Sequence, residues 1–358
     1  MNLLYRAGLI LSFACLLPPA GAQLQARSVS PPPAADRRLV LDVVVTDHSG
    51  KPTPGLEEKD FSVLDNGHEQ QILSFRASGG EAVPAGSQPA EPPVKIILLV
   101  DEVNSDFRRV AYERDQIKQF LQKNEGVLKH PLSMAFFTDQ GTQVQNASST
   151  DGNALLAEFD EHQTALRSIR RGAGVYGAIE RFQLSMNALE SLAQTEGKEP
   201  GRKLVVWISA GWPLLSGPGI ELTSKNQASL FSSIVDISTA LRQARVTLSS
   251  VNPEGAGGGV TQDFYYETFL KPVTRAKDTQ IGNLALQVIA TQSGGLSLPA
   301  SNDIAGQISR CVADVDSYYT LVVDQAPADA PDSYHTLAVK VAKPGLTART
   351  RAGYYVQP

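Results

Sequence analysis

The sequence predicts an α/β protein: a doubly wound, mostly parallel sheet inserted into a small β-sandwich-like domain built from N- and C-terminal strands. Three observations predict it. Strand-like and helix-like runs alternate through residues 94–312, the pattern of parallel strands joined by right-handed helical crossovers. Strand-like runs without helices occupy both flanks, residues 38–77 and 313–358. Each flank is about forty residues, too few for a core of its own, so the two flanks are expected to pair with each other.

The elements follow in order. The first strand is RLVLDVVVT, closed by the turn cluster DHSGKPTPG. In FSVLDNGHEQQILSF, Asn66-Gly67 lies between two strand-like runs, as a tight hairpin with positive φ requires. Residues 78–93 are rich in Gly, Pro and Ala and read as a linker. VKIILLVD is then almost continuously apolar, as befits a strand covered on both faces. In FRRVAYERDQIKQFLQ, Val110, Ile117, Phe120 and Leu121 share one helical face. PLSMAFFTD is a second strand, with TQVQNAS as an edge strand beside it. NALLAEFDEHQTAL is a helix with Asp151 as its N-cap.

VYGAIERFQLSMNALESLA is a longer helix, GRKLVVWISAG a third buried strand, ASLFSSIVDISTALRQA a helix and RVTLSSV a strand. IGNLALQVIATQSGG reads as one helix stopped by its Gly pair. LSLPAS is a short last strand, and NDIAGQISRCVADV a final helix capped by Asn302 or Asp303. SYYTLVVD, YHTLAVKV and ARTRAGYYV return the chain to β structure.

Composition limits the function. The chain has 358 residues, 42% hydrophobic and 19% charged, with a formal net charge of −5. No basic run is interleaved with aromatics, so nucleic acid is not an expected partner. Residues 1–22 read as a signal peptide: Arg6, an apolar run too short to span a bilayer, and small residues before Gln23. No later segment is apolar enough for a membrane span. The expected localisation is therefore exported: periplasmic, cell-surface or secreted. Residues 23–37 form a Pro-rich linker. The two cysteines are Cys15, inside the leader, and Cys311, read as a buried apolar residue; a disulfide framework is excluded.

Enzymatic signals are absent from the pattern. The five histidines are scattered, and no G-x-S-x-G turn or phosphate-cradling loop occurs. The chain is read as a non-enzyme. Trp212-Pro213, directly after the third buried strand, is either a binding anchor or a lid packed over the sheet end. The long loop of residues 251–280 is Gly-rich and then aromatic. Its FYYETF segment reads as a helix, either for recognition or to cover a sheet edge.

Five stretches carry a resemblance: VVVTDHSGKPTPGLEEKDFSVLDNG, ILLVDEVNSD, GRKLVVWISAGWP, SGGLSLPASNDIAGQI and SYYTLVV…GLTARTRAGYY. In this order and spacing, from about Leu39 to Tyr355, the chain resembles secreted bacterial proteins with a von Willebrand factor A (VWA)-related domain, first described in acidobacteria. The resemblance implies a Rossmann-like VWA sheet flanked by β structure, and a binding or adhesion module rather than a catalyst.

Such domains often carry a metal-ion-dependent adhesion site: D-x-S-x-S after the first strand, a Thr from a second loop and an Asp from a third. The physical logic is a near-octahedral shell of hard oxygens around Mg²⁺. Here the first part reads Asp101-Glu102-Val103-Asn104-Ser105. Asp101 and Ser105 match, Val103 replaces a Ser, and Asn104 adds an amide oxygen. Ala173 or Gly174 stands where the Thr belongs, and Ala210 where the Asp belongs. The expectation is a degenerate site with no resident cofactor, in which Asp101 accepts loop hydrogen bonds or caps the next helix. The alternative is a divalent cation, such as Mg²⁺, on Asp101, Asn104 and Ser105. Asp106, Asp139, Tyr176, Ser209 and Trp212 are expected to mark the binding face.

The expected function is recognition of a protein partner through loops at the carboxyl end of the sheet. Two other readings stand beside it: a metal-dependent (Mg, Mn or Ca) adhesin using Asp101 and Ser105, and a cell-envelope structural or assembly protein working through its β domain.

Overall fold

The computed structural model describes residues 38–79, 91–105, 110–145, 147–164, 174–214, 222–254, 265–327 and 330–356. The expected leader, the Pro-rich linker, most of the second linker, Asp106 and Ala173 lie outside the described residues.

A seven-stranded sheet forms the centre. Its strands are β5 (Lys95–Asp101), β6 (Val127–Thr138), β7 (Gly141–Val144), β8 (Ser149–Asp151), β9 (Lys203–Ile208), β10 (Val246–Val251) and β11 (Ser297–Leu298). They lie in the order β11-β10-β9-β5-β6-β7, with β8 also against β6. Strands β5, β6, β9, β10 and β11 run parallel; β7 and β8 are antiparallel edge pieces. From β5 the chain first builds outward to β6 and β7, then returns to lay β9 on the other side of β5. The strand order therefore reverses between β5 and β9, and the crevice beyond their carboxyl ends is where open α/β sheets place ligands.

Period-two alternation assigns the two faces. Ile97 and Leu99 of β5, with Val205 and Trp207 of β9, pack under α3 (Val175–Glu196), α4 (Ser224–Gln243) and α5 (Leu286–Gln292). Ile96, Leu98 and Val100 pack on the opposite face under α1 (Val110–Leu121), α2 (Gly152–Thr164) and α6 (Ile304–Val312). Residues 96–100 are all buried. Each such side chain contributes roughly 1.5–3 kcal/mol on burial, which is why the run carries no polar alternation. Cys311 is fully buried in the second face, as expected of an apolar residue.

Strands from both flanks make the β sandwich. One sheet has the order β14-β1-β12-β4, from Thr347–Arg349, Arg38–Thr46, Tyr318–Asp324 and Ile72–Ser78. The other is β15-β13-β2-β3, from Gly353–Tyr355, Tyr334–Val341, Phe61–Asp65 and His68–Gln70. Register pairs such as Leu41 with Leu321, and Val63 with Val339, join N-terminal to C-terminal segments. Leu39, Leu41, Val43, Val63, Tyr319 and Leu321 share one core, which neither flank could close alone. The hairpin at Asn66-Gly67 has φ of 49° and 83°, the pair of left-handed residues that a primed turn needs.

The structure departs from the sequence expectation in four places. ARTRAGYYV, expected as one strand, is two: β14 and β15 are separated by residues 350–352 and enter different sheets. HEQQILSF is two strands, not one: β3 and β4 separate at Gln71 and enter different sheets. IGNLALQVIATQSGG is a 3₁₀ turn (Ile281–Leu284) followed by α5, because Ala285 between them is extended at ψ 144°. FYYETF is a 3₁₀ turn (Tyr265–Phe269), and Phe269 packs so closely on Gly282 that a Cβ there would lie 2.5 Å from the ring. The Gly pair stops α5 as expected. Gly294 N–H donates to Thr291 and Gly295 N–H to Ala290, with φ of 91° at Gly294. Asp303, not Asn302, caps α6 by accepting from Gly306 N–H at 2.7 Å. Asp151 accepts from Asn153 and Ala154 at the start of α2.

Among the described residues no helix is long and apolar enough to cross a membrane.

Candidate functional site

Asp101 ends β5 at the point where strand order reverses, and it is fully buried. It continues the parity of Ile97 and Leu99, so it faces α3 and β9. Five donors converge on its carboxylate. Oδ1 accepts from the backbone N–H of Val103 and of Asn104, each at 2.9 Å. Oδ2 accepts from Asn104 Nδ2 at 2.9 Å, Ser209 Oγ at 2.7 Å and Trp207 Nε1 at 3.2 Å. Ser209 in turn accepts from Gly211 N–H at 2.9 Å. Ser105 Oγ turns back to the carbonyl of Asp101.

The turn is thereby tied to its neighbours. Asn104 Nδ2 also reaches Ser185 Oγ on α3 at 3.1 Å, and Ser185 donates to Arg181 O. Burial pushes the Asp101 carboxyl up, against the hydrogen bonds from Asn104, Ser209 and Trp207. All five partners are donors, so the ionised form is the one this geometry fits.

Two further carboxyls stand behind the turn, on the α1–α2 side. Glu102 is pushed up to about 7, first by burial and then by the Asp101 charge. Its Oε1 lies 3.2 Å from His162 Nε2, and the His162 ring stacks on Phe136 at a 3.7 Å centroid separation. Burial lowers His162. Glu113 of α1 is pushed up to about 8 by burial and by Asp101, opposed by a hydrogen bond from Ser105.

These donors decide how the residues suit a cation. A divalent ion needs about six hard oxygens. Both oxygens of Asp101 are already taken by five N–H and O–H groups. The side chains of Val103 and Ala210 carry no ligand atom, and Asn104 turns its amide nitrogen, not its oxygen, to Asp101. The residues at the adhesion-site positions do not fit Mg²⁺. Among the described residues no group of three or more His, Cys, Asp or Glu side chains is arranged to hold a metal.

The expected binding face divides. Ser209 and Trp212 are buried and present no side chain to a partner. Ser209 is spent on Asp101. Trp212 donates to Leu284 O at 2.9 Å and meets Trp207 edge-on at 5.7 Å, so it is a lid over the sheet end. Asp139 is exposed in the β6–β7 turn. Tyr176 is 87% exposed at the start of α3, with Val175 and Ile179 exposed beside it. Lys95 at the start of β5 pairs with Glu196 at 3.0 Å, while Asn104, just past its end, meets Ser185. So α3 runs antiparallel to β5, and Tyr176 stands roughly 14 Å beyond Ser185 at 1.5 Å per residue. Trp207 and Ser185 were not singled out from the sequence. Trp207 had a signal, since it shares strand parity with Ser209; Ser185, inside a helix, had none.

Fold and site together define a class: a doubly wound α/β unit, set in an antiparallel sandwich, with a carboxylate-centred turn at its switch point. Among solved structures the chain is similar to the human COPII-coat protein Sec24c, with a TM-score of 0.32 and 10% identity over 75% of this chain and 44% of that one. It is also similar to the SpRpn10 VWA domain, with a TM-score of 0.23 and 15% identity over 49% of this chain and 95% of that one. The chain thus spans less than half the length of Sec24c, and similarity at these scores carries no inference about function. No family model and no curated protein matches the chain.

Proposed function

We propose that the chain is an exported, non-enzymatic VWA-type binding module that recognises a protein partner at the carboxyl end of its central sheet, without a metal ion at Asp101. The observation that carries this reading is the apolar stripe of Val175, Tyr176 and Ile179. Large apolar side chains clustered on an exposed helix end are what a partner interface uses as anchors. The stripe rises above the switch point, where doubly wound sheets bind. The saturated carboxylate of Asp101 supports a rigid base beneath it rather than a bridging ion.

The test is a pull-down from envelope extract with the wild-type chain and with Tyr176→Asp/Ile179→Asp. The double variant keeps its fold and loses the captured partner. Capture unchanged by these substitutions would sink the reading. Calorimetric titration with Mg²⁺, Mn²⁺ and Ca²⁺ gives no saturable heat. Saturable binding abolished by Asp101→Ala would instead support the metal-dependent adhesin.

A further inference from the structure

A second site lies away from the switch point, where α4 and α5 meet the loop between β14 and β15. Arg351 sits in that loop, and its neighbours are pegged. Thr350 Oγ1 donates to Asp42 O at 2.8 Å, and Ala352 N–H donates to Gln292 O at 3.0 Å. The Arg351 side chain, 9% exposed as a residue, lines a cavity of about 30 Å³. Ile237, Leu241, Leu284 and Ile289 give it apolar walls; Ser238 and Gln292 are half-buried polar residues on its lining.

Among the described residues the Arg351 guanidinium has no hydrogen bond and no ion pair. Arg242, next to Leu241 on α4, repels it and has a buried Nε with no partner. The carboxylate acting on Arg351 is that of Asp42, but its oxygens are held by Arg245 at 2.6 and 3.3 Å and by Thr320 at 3.3 Å. Burial and the Arg242 charge together push Arg351 down to about 10. A buried cation without a counter-charge is costly, and a guanidinium presents its donors as a fork matched to a planar carboxylate.

We propose that this cavity binds a small monovalent oxyanion, a carboxylate of formate size, in the fork of Arg351, with the charge of Arg242, outside the cavity lining, adding to the positive field. The size follows from the volume: about 10–15 Å³ in this measure holds one water, so the cavity has room for two or three heavy atoms and excludes a tetrahedral sulfate. The apolar walls favour a weakly hydrated, singly charged ion. Its binding would clamp the sandwich loop to α4 and α5.

The experiment is calorimetric titration of the full chain, in a carboxylate-free buffer at constant ionic strength, with sodium formate, sodium acetate, sodium chloride and sodium sulfate. Formate binds saturably at one site; acetate, one heavy atom larger, and sulfate do not. Arg351→Met weakens formate binding roughly tenfold or more. Arg242→Gln, on a half-buried helix face, weakens it severalfold and serves if Arg351→Met does not fold. No saturable heat from formate with the wild-type chain overturns the proposal. So does binding by chloride alone, or wild-type affinity in either folded variant.

Discussion

The indole N–H of Trp207 donates to the carboxylate of Asp101 at 3.2 Å, between the two strands that flank the reversal of sheet order. The contact joins the last residue of β5 to the interior of β9. With Ser209 it makes a buried anion the tie between the halves of the sheet.

Removing that anion strands its donors. Asp101→Ala leaves two backbone N–H groups, an amide, an indole and a hydroxyl buried without their acceptor. The expected loss is roughly 3–5 kcal/mol of unfolding free energy. Urea denaturation gives the same loss with EDTA as with Mg²⁺. A loss that appears only when metal is present would contradict the structural role.

The carboxyl of Glu113 makes stability depend on pH. Its folded value, about 8, lies above the ordinary 4.5. Its contribution is therefore fully present below about pH 4.5 and fades as pH rises through about 8. Glu102, raised to about 7, adds in the same direction over the lower part of that window. Denaturation curves from pH 5 to 9 fall in midpoint for the wild type. Glu113→Gln, which cannot ionise, flattens the fall and is the more stable protein at pH 9, by on the order of 3 kcal/mol.

Trp212 and Tyr176 separate folding from recognition. Trp212→Ala empties a buried site and removes the hydrogen bond to Leu284, at a cost of about 3–5 kcal/mol. Tyr176→Asp changes a side chain that is almost wholly in solvent, so its melting temperature stays within about 1–2 °C of wild type. Partner capture falls with Tyr176→Asp. With Trp212→Ala it falls only in proportion to the unfolded fraction, read by circular dichroism at the assay temperature.

Gly295 is a backbone-contact glycine. A Cβ there would lie 1.8 Å from the carbonyl oxygen of Leu248. Gly295→Ala must push the end of α5 off β10, with an expected loss of about 2–4 kcal/mol in chemical denaturation. Gly55, whose added Cβ would meet nothing within 4 Å, serves as the control: its φ of 82° alone makes Gly55→Ala cost about 1–2 kcal/mol.

Much of the fold was legible in local pattern. IILLV in β5 is apolar without alternation because both faces of the strand are covered, and sequence shows this directly. Asn66-Gly67, the Gly294-Gly295 stop and the cap at Asp303 are likewise local backbone demands. The pairing of the two β flanks followed from their size. Gln71 was not legible, since a strand that changes sheets keeps its alternation and needs only one unpaired residue at the change.

The site divides along the same line. Sequence placed Asp101 at the end of a buried strand, and showed that Val103 and Ala210 offer no ligand oxygen. Strand parity and chemical type are properties of the chain itself. Which groups saturate Asp101 was decided in three dimensions, because Trp207 and Ser209 lie more than a hundred residues away and Ser185 sits mid-helix. The same holds for Tyr176 and Trp212. Each is one aromatic beside a loop, and only packing makes the first a surface anchor and the second a buried lid. A residue's partners depend on which distant segments the sheet order brings together, and Arg242 and Arg351, which form no ion pair among the described residues, came within reach of each other's charge only through that folding.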